Sequence, residues 1–131
     1  MYYANGSSLT FDNLIITWKE GDLPYQGIAH TVDTIYNNCT INGQLCLYAS
    51  SSETFKNCTF VQPLANAYNV RTWGAKEAVF EDCTFRSNGK SVLVYSETDG
   101  LTTTVENCEF YAENPIVGKA AIEIHNDNCE S

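Results

Sequence analysis

The stretch FKNCTF at residues 55–60 returns as FEDCTF at 80–85 and as VENCEF at 105–110. With cysteine as position zero, the pattern occurs at Cys39, Cys58, Cys83 and Cys108, and LTFDNLII supplies a degenerate copy with Leu14 in that place. Successive copies lie 25, 19, 25 and 25 residues apart. Three positions earlier stand Phe11, Tyr36, Phe55, Phe80 and Val105; two positions later stand Ile16, Ile41, Phe60, Phe85 and Phe110. Immediately before it stand Asn13, Asn38, Asn57, Asp82 and Asn107. A period of this length read five times signals a repeat architecture.

The phase of the pattern predicts a shape. In one unbroken strand, positions −3 and 0 would face opposite sides, yet both are apolar. The conflict disappears if the chain bends at the residue before cysteine, so that one strand ends near −3 and another begins at 0. Asn and Asp are the non-glycine residues that best tolerate the left-handed backbone of such a bend. Stacked corners would place Asn38, Asn57, Asp82 and Asn107 in a ladder whose amides bond from coil to coil.

Between the copies lie LCLYAS (45–50), YNVRTW (68–73), VLVYSE (92–97) and AIEIHN (121–126), read as a further strand per coil with Leu47, Val70, Val94 and Ile124 inward. Turns fall at Ser87-Asn88-Gly89-Lys90, Thr98-Asp99-Gly100 and Asn114-Pro115. No segment holds a helical apolar stripe, although YQGIAHTVDTIY imitates one. The expected fold is all-β: a solenoid of parallel strands with about five to six coils, three short strands per coil, forming a single domain over residues 1–131.

Recurring NCTF-type corners resemble those of the right-handed parallel β-helix, the fold of pectin lyase-like proteins and of many bacterial surface proteins with β-helix repeats. The resemblance covers roughly residues 7 to 126. It implies the fold and leaves function open, because the family includes polysaccharide lyases and hydrolases, tailspikes, adhesins and non-catalytic modules. Five to six coils without a helical cap suggest a module of a longer surface protein, or one that pairs through end-to-end or face stacking of uncapped coils.

Composition narrows the partners. Seven Lys and Arg against 16 Asp and Glu leave a net charge of −9, which repels a nucleic-acid backbone or an anionic membrane surface. No apolar run approaches the roughly 20 residues that span a bilayer, and no basic then apolar leader follows Met1. Cysteines in equivalent places of parallel coils point the same way, so Cys39, Cys58, Cys83 and Cys108 are expected as inward thiols and not as disulfides. Cys46 and Cys129 lie outside the motif and are open to pairing or to none.

Chemistry in such a solenoid belongs to outward side chains. On the third strand these are Tyr48, Arg71, Tyr95 and His125, one after each inward anchor, expected as a line with about 4.8 Å per step. Trp73, Glu97 and Glu123 fall on or beside the same face. Aromatic rings next to Arg, Glu and His suit sugar binding, offering an apolar plate and charged groups for hydroxyls or a carboxylate; the bland reading is a surface that covers only its neighbours. The family's hydrolase strings Asn-x-Asp, Asp-Asp, Gly-His-Gly and Arg-x-Lys are absent. Glu81-Asp82 is read as a corner, Lys76, Lys90 and Lys119 as solvated turn residues, and His30 and His125 as separate surface or packing histidines. Glu97 and Glu123 could meet as a carboxylate pair. A lyase would turn to Arg71 or a Lys.

No cofactor and no metal site is expected: Asp99-Gly100 and Asn126-Asp127-Asn128 offer oxygens, but no repeat aligns acids. The sequons at Asn38 and Asn57 lie at corners expected to be buried, where a glycan would conflict with the fold. The leading expectation is a non-catalytic bacterial module, extracellular or on the cell surface, binding a polysaccharide or a surface protein. The alternatives are a small carbohydrate-active enzyme and a structural or self-associating spacer.

Overall fold

The computed structural model describes residues 8–17, 27–28, 33–47, 52–65, 67–72, 75–95 and 100–125. The first coil contributes β1 (Ser8–Asp12), β2 (Ile15–Thr17) and β3 (Gly27–Ile28); the second β4 (Asp33–Asn37), β5 (Thr40–Asn42) and β6 (Leu45–Leu47). The third contributes β7 (Ser52–Lys56), β8 (Thr59–Val61) and β9 (Val70–Thr72). The fourth holds β10 (Glu77–Glu81), β11 (Thr84–Ser87) and β12 (Val92–Tyr95), and the fifth β13 (Thr102–Glu106), β14 (Glu109–Ala112) and β15 (Ile122–His125). Every pairing among these strands is parallel and joins neighbouring coils, giving three five-stranded sheets. The described strands therefore stand on five levels, and the segment that imitates a helix supplies β3 and β4 instead.

The bend lies where the repeat places it. Asn13, Asn38, Asn57, Asp82 and Asn107 have φ of 59, 52, 53, 54 and 51°, a conformation costing most L-residues roughly 1–2 kcal/mol. Side-chain bonds tie corners of neighbouring coils: Asn38 Nδ2 donates to Asn13 Oδ1 at 2.7 Å, and Asn107 Nδ2 donates to Asp82 Oδ1. One expectation is corrected. Asn38 and Asn57 are exposed, because the left-handed backbone turns the corner side chain away from the lumen while the residues two before it (Tyr36, Phe55) and one after it (Cys39, Cys58) point in.

The two apolar sets meet inside. Tyr36, Phe55, Phe80, Ile41, Phe60 and Phe85 are fully buried with the sulfurs of Cys39, Cys58 and Cys83 between them. Parallel stacking brings like rings face to face: Phe55 and Tyr36 are 4.4 Å apart, Phe60 and Phe85 4.7 Å, Phe85 and Phe110 4.9 Å. Phe80 meets both Phe60 and Phe85 edge on, so the two stacks interlock across the corner.

Cys39, Cys58, Cys83 and Cys108 carry free thiols. Each sulfur sits near its own corner carbonyl and one from the coil below; Cys58 Sγ is 3.4 Å from both Lys56 O and Tyr36 O. Burial pushes the Cys39 and Cys108 thiols up. A hydrogen bond from Cys83 to Cys58 holds the Cys83 proton still more tightly, with burial adding to it. Cys39, Cys83 and Cys108 are thus protonated packing groups. Donation from Cys83 draws the Cys58 thiol down to about 7 against the effect of burial, and only its packing, at 1% exposure, keeps it from reagents.

A buried carboxyl interrupts this apolar interior. Glu53 is inward on β7, on a row with Leu9, Thr34, Ala78 and Thr103, and is 1% exposed. It lies beside Tyr36, whose hydroxyl is pushed well above the usual phenol range by burial and then by the Glu53 charge.

Two outcomes are expected. Phe85→Ala leaves a void between Phe60 and Phe110, and a denaturant titration should show a loss of about 3–5 kcal/mol. In the native protein, Cys39, Cys58 and Cys83 should resist a thiol-alkylating reagent that labels them after unfolding, as mapped by peptide mass.

Candidate functional site

The third sheet, in the order β15-β12-β9-β6-β3, carries the outward residues that the sequence singles out. Its register differs from the expected line. Val70 stands level with Leu45 and Val92, not with Leu47 and Val94, so Arg71 shares a row with Cys46, Leu93 and Glu123. Tyr95 and His125 form a separate row two residues further on. The two-residue slip keeps each inward residue inward, because strand side chains alternate with period two, and therefore leaves no trace in the apolar pattern. Val70 is buried in the lumen as expected, and its partners there are Leu45 and Val92. Val94 and Ile124 occupy the next inward row with Thr72. Tyr48, Trp73, Glu97, His30 and Cys129 lie outside the described residues.

Glu123 is the centre of the site. Its Oε2 accepts a hydrogen bond from the Tyr68 hydroxyl at 2.6 Å and lies 3.4 Å from His125 Nε2, with 14% of the side chain exposed. Tyr68 belongs to the turn before β9, two coils below Glu123, so its ring leans along the solenoid axis. Lys90 holds the equivalent place before β12, and its Nζ is 5.1 Å from the Tyr68 ring centroid, within cation–π range. The positioning is local: Asn69 N and Val70 N both donate to Ser91 O, and Ser91 N and Val92 N both donate to Ala121 O, which locks the three turns in step.

The electrostatics follow from this packing. Burial, the largest single influence on Glu123, pulls its carboxyl up. The Tyr68 hydrogen bond and the charges of Lys119, His125 and Lys90 together outweigh it, and the group is held below the usual carboxylate range. Tyr68 is pushed up to about 12, first by burial and then by donating to Glu123, with Arg71 pulling the other way. Tyr68 is thus a neutral donor at physiological pH and not a base.

Three of these participants escape the sequence reading. Tyr68 lies outside the third-strand motif, and Lys90 and Lys119 read there as solvated turn residues. Lys90 is half-buried over an aromatic ring, which corrects its reading, whereas Lys119 is exposed. The available signal is positional: Tyr68 and Lys90 each precede by two residues the first inward valine of their strand, Val70 and Val92.

Outside this cluster, Arg86 lies over Tyr111 at 4.7 Å and reaches Glu113 at 3.9 Å on the second sheet, while Lys56 meets Glu81 at 4.0 Å on the first. Those cations are spent on neighbouring acids along exposed faces. Lys90 and Lys119 act instead on the Glu123 carboxylate, and Arg71 acts on the Tyr68 hydroxyl that donates to it, so three of the chain's seven Lys and Arg gather around this one hydrogen-bonded pair.

A depressed folded pKa means that the Glu123 interactions stabilise the fold fully above the unfolded value of about 4.3 and fade as pH falls through the lower folded value. Wild type should therefore exceed Glu123→Gln in melting temperature at neutral pH, and the gap should close as melts are repeated from pH 5 downward through the carboxylate range.

A family model described as the right handed beta helix region matches residues 1–130. No curated protein and no solved structure was found to match the chain. Three parallel sheets of stacked coils, left-handed corners at one place per coil and a family match over nearly the whole length agree, and the chain belongs to the right-handed β-helix family.

Proposed function

We propose that this chain is a non-catalytic β-helix module of a secreted or cell-surface protein, and that the outer face of its third sheet binds an extended glycan or a protein segment. The observation that carries the reading is the gathering of Arg71, Lys90, Lys119 and His125 around Glu123 and Tyr68 on a chain of net charge −9. Cations gathered around one carboxylate and the tyrosine bonded to it also create a local place for hydroxyls and anionic groups that the rest of the acidic surface repels.

Geometry supports an extended ligand. Rows repeat at about 4.8 Å from coil to coil. Arg71 and Glu123 stand two coils apart in one row with buried Leu93 between them, and Tyr95 and His125 stand on adjacent coils in the next outward row, so polar groups extend along the axis over three coils. The rings of Tyr68 and Tyr95 flank the charged row and suit the C–H faces of sugars. A non-catalytic role is favoured because Tyr68 holds its proton and Glu123 is engaged as a hydrogen-bonded carboxylate, so neither is poised to exchange a proton near neutrality. The extracellular setting rests on the resemblance to bacterial surface proteins with β-helix repeats.

A glycan-array screen, run beside an assay for unsaturated-uronate absorbance on acidic polysaccharides, tests the reading. Retention without product is expected; product would replace the module with a lyase, and no retention would move the role to a spacer. On a retained glycan, Arg71→Ala and Lys90→Ala should each weaken binding roughly 10- to 100-fold if a charge-assisted hydrogen bond is lost, while Lys56→Ala on the first sheet should leave it unchanged.

A further inference from the structure

Apolar residues of the two end coils are more exposed than their counterparts in the coils between. Among the described residues, no strand pairs with the free side of β1, β2 and β3, nor with that of β13, β14 and β15. Leu14 is 41% exposed at one end, and Ile122 and Ile124 are 39% and 49% exposed at the other. Phe11 and Ile16 at the first coil, and Val105, Cys108 and Phe110 at the fifth, are only partly buried, whereas their counterparts in the coils between are fully so. Solenoids ordinarily close such ends with polar capping repeats.

We propose that the fifth coil of one copy docks on the first coil of a second copy, head to tail, so that the solenoid continues across the junction. The occupant is another copy because the two ends carry the same repeat in the same phase. Continuing the rows places Phe11 of the second copy over Val105, Leu14 over Cys108 and Ile16 over Phe110, the same relation that joins each coil to the next within the chain. The junction thus repeats an interface that the chain already forms between every pair of successive coils.

The corner ladder supports the same polarity. Within the chain, the higher corner donates to the lower: Asn38 to Asn13, and Asn107 to Asp82. Asn13 uses Oδ1 and Asn107 uses Nδ2 in these bonds, which leaves the Asn13 amide to donate and the Asn107 carbonyl oxygen to accept across a head-to-tail junction. Two copies related by a twofold axis would oppose strands antiparallel and lose this register. Charge works against the contact, since Asp12 would lie over Glu106 on two chains of net charge −9. Association should therefore strengthen as salt rises, the reverse of an ion-pair interface. A heterologous contact that does not close gives open chains of copies, not a fixed dimer.

Sedimentation velocity over a concentration series in 0.05 and 0.5 M salt tests this. Wild type should show a weight-average mass that climbs with concentration past the dimer, more steeply at high salt. Leu14→Asp blocks one end and Ile124→Asp the other; both residues are substantially exposed, so each variant should keep its far-ultraviolet spectrum and run as a monomer. An equimolar mixture of the two variants should give a species that stops at the dimer, because one intact junction remains. A monomeric wild type under all conditions, a folded pair of variants that stays monomeric on mixing, or self-association of Leu14→Asp alone would each overturn the proposal. Should either Asp variant unfold, Leu14→Asn and Ile124→Asn serve the same comparison.

Discussion

At the residue before each repeat position the backbone passes through the left-handed region, with φ between 51 and 59° in all five copies. This single conformational demand separates two strands that would otherwise be one, and it turns both of their apolar faces into the same lumen. Without it, Phe80 or Phe85 would have to face water. With it, Phe80 meets Phe85 at 5.6 Å, edge on, inside the solenoid. Asn and Asp lower the cost of the turn, and their side chains add bonds along the ladder, so local strain and long-range cohesion are resolved at the same residues.

Stacking then propagates what the corner begins. Parallel coils in register place like residues above like, so an aromatic column grows wherever one phase of the repeat is aromatic. The same rule explains why the cysteines remain thiols. Their sulfurs point in one direction toward carbonyls of their own coil and the coil below, and a relaxed disulfide needs side chains that face each other. Apolar stacks of this kind also make the end coils different from the rest, because each face needs a neighbour that the terminal coils lack among the described residues.

The outer face of the third sheet answers to a weaker constraint. Nothing in the lumen dictates which polar groups stand there, so Tyr68 can cross two coils to reach Glu123 and Lys90 can settle over its ring. Glu123 keeps its charge although it is largely buried, since the groups around it supply more than burial removes. Glu53 is the opposite case: an acid whose place on an inward row, level with Thr34 and Ala78, puts it in the core.

The amino-acid sequence alone determined the coil, its corners, the inward aromatic sets and the thiol stack, because these repeat at constant offsets and each is tied to a local backbone need. It also pointed to the sheet on which Arg71, Tyr95, Glu123 and His125 stand. Only the tertiary structure decided the register of that sheet. A slip of two residues moves Arg71 from the Tyr95 row to the Glu123 row without changing any inward or outward assignment, so periodicity is blind to it. Tertiary structure likewise decided the roles of Tyr68 and Lys90, since each depends on neighbours from other coils that no local pattern specifies, whereas the inward place of Glu53 follows from its alternation with Phe55 on β7.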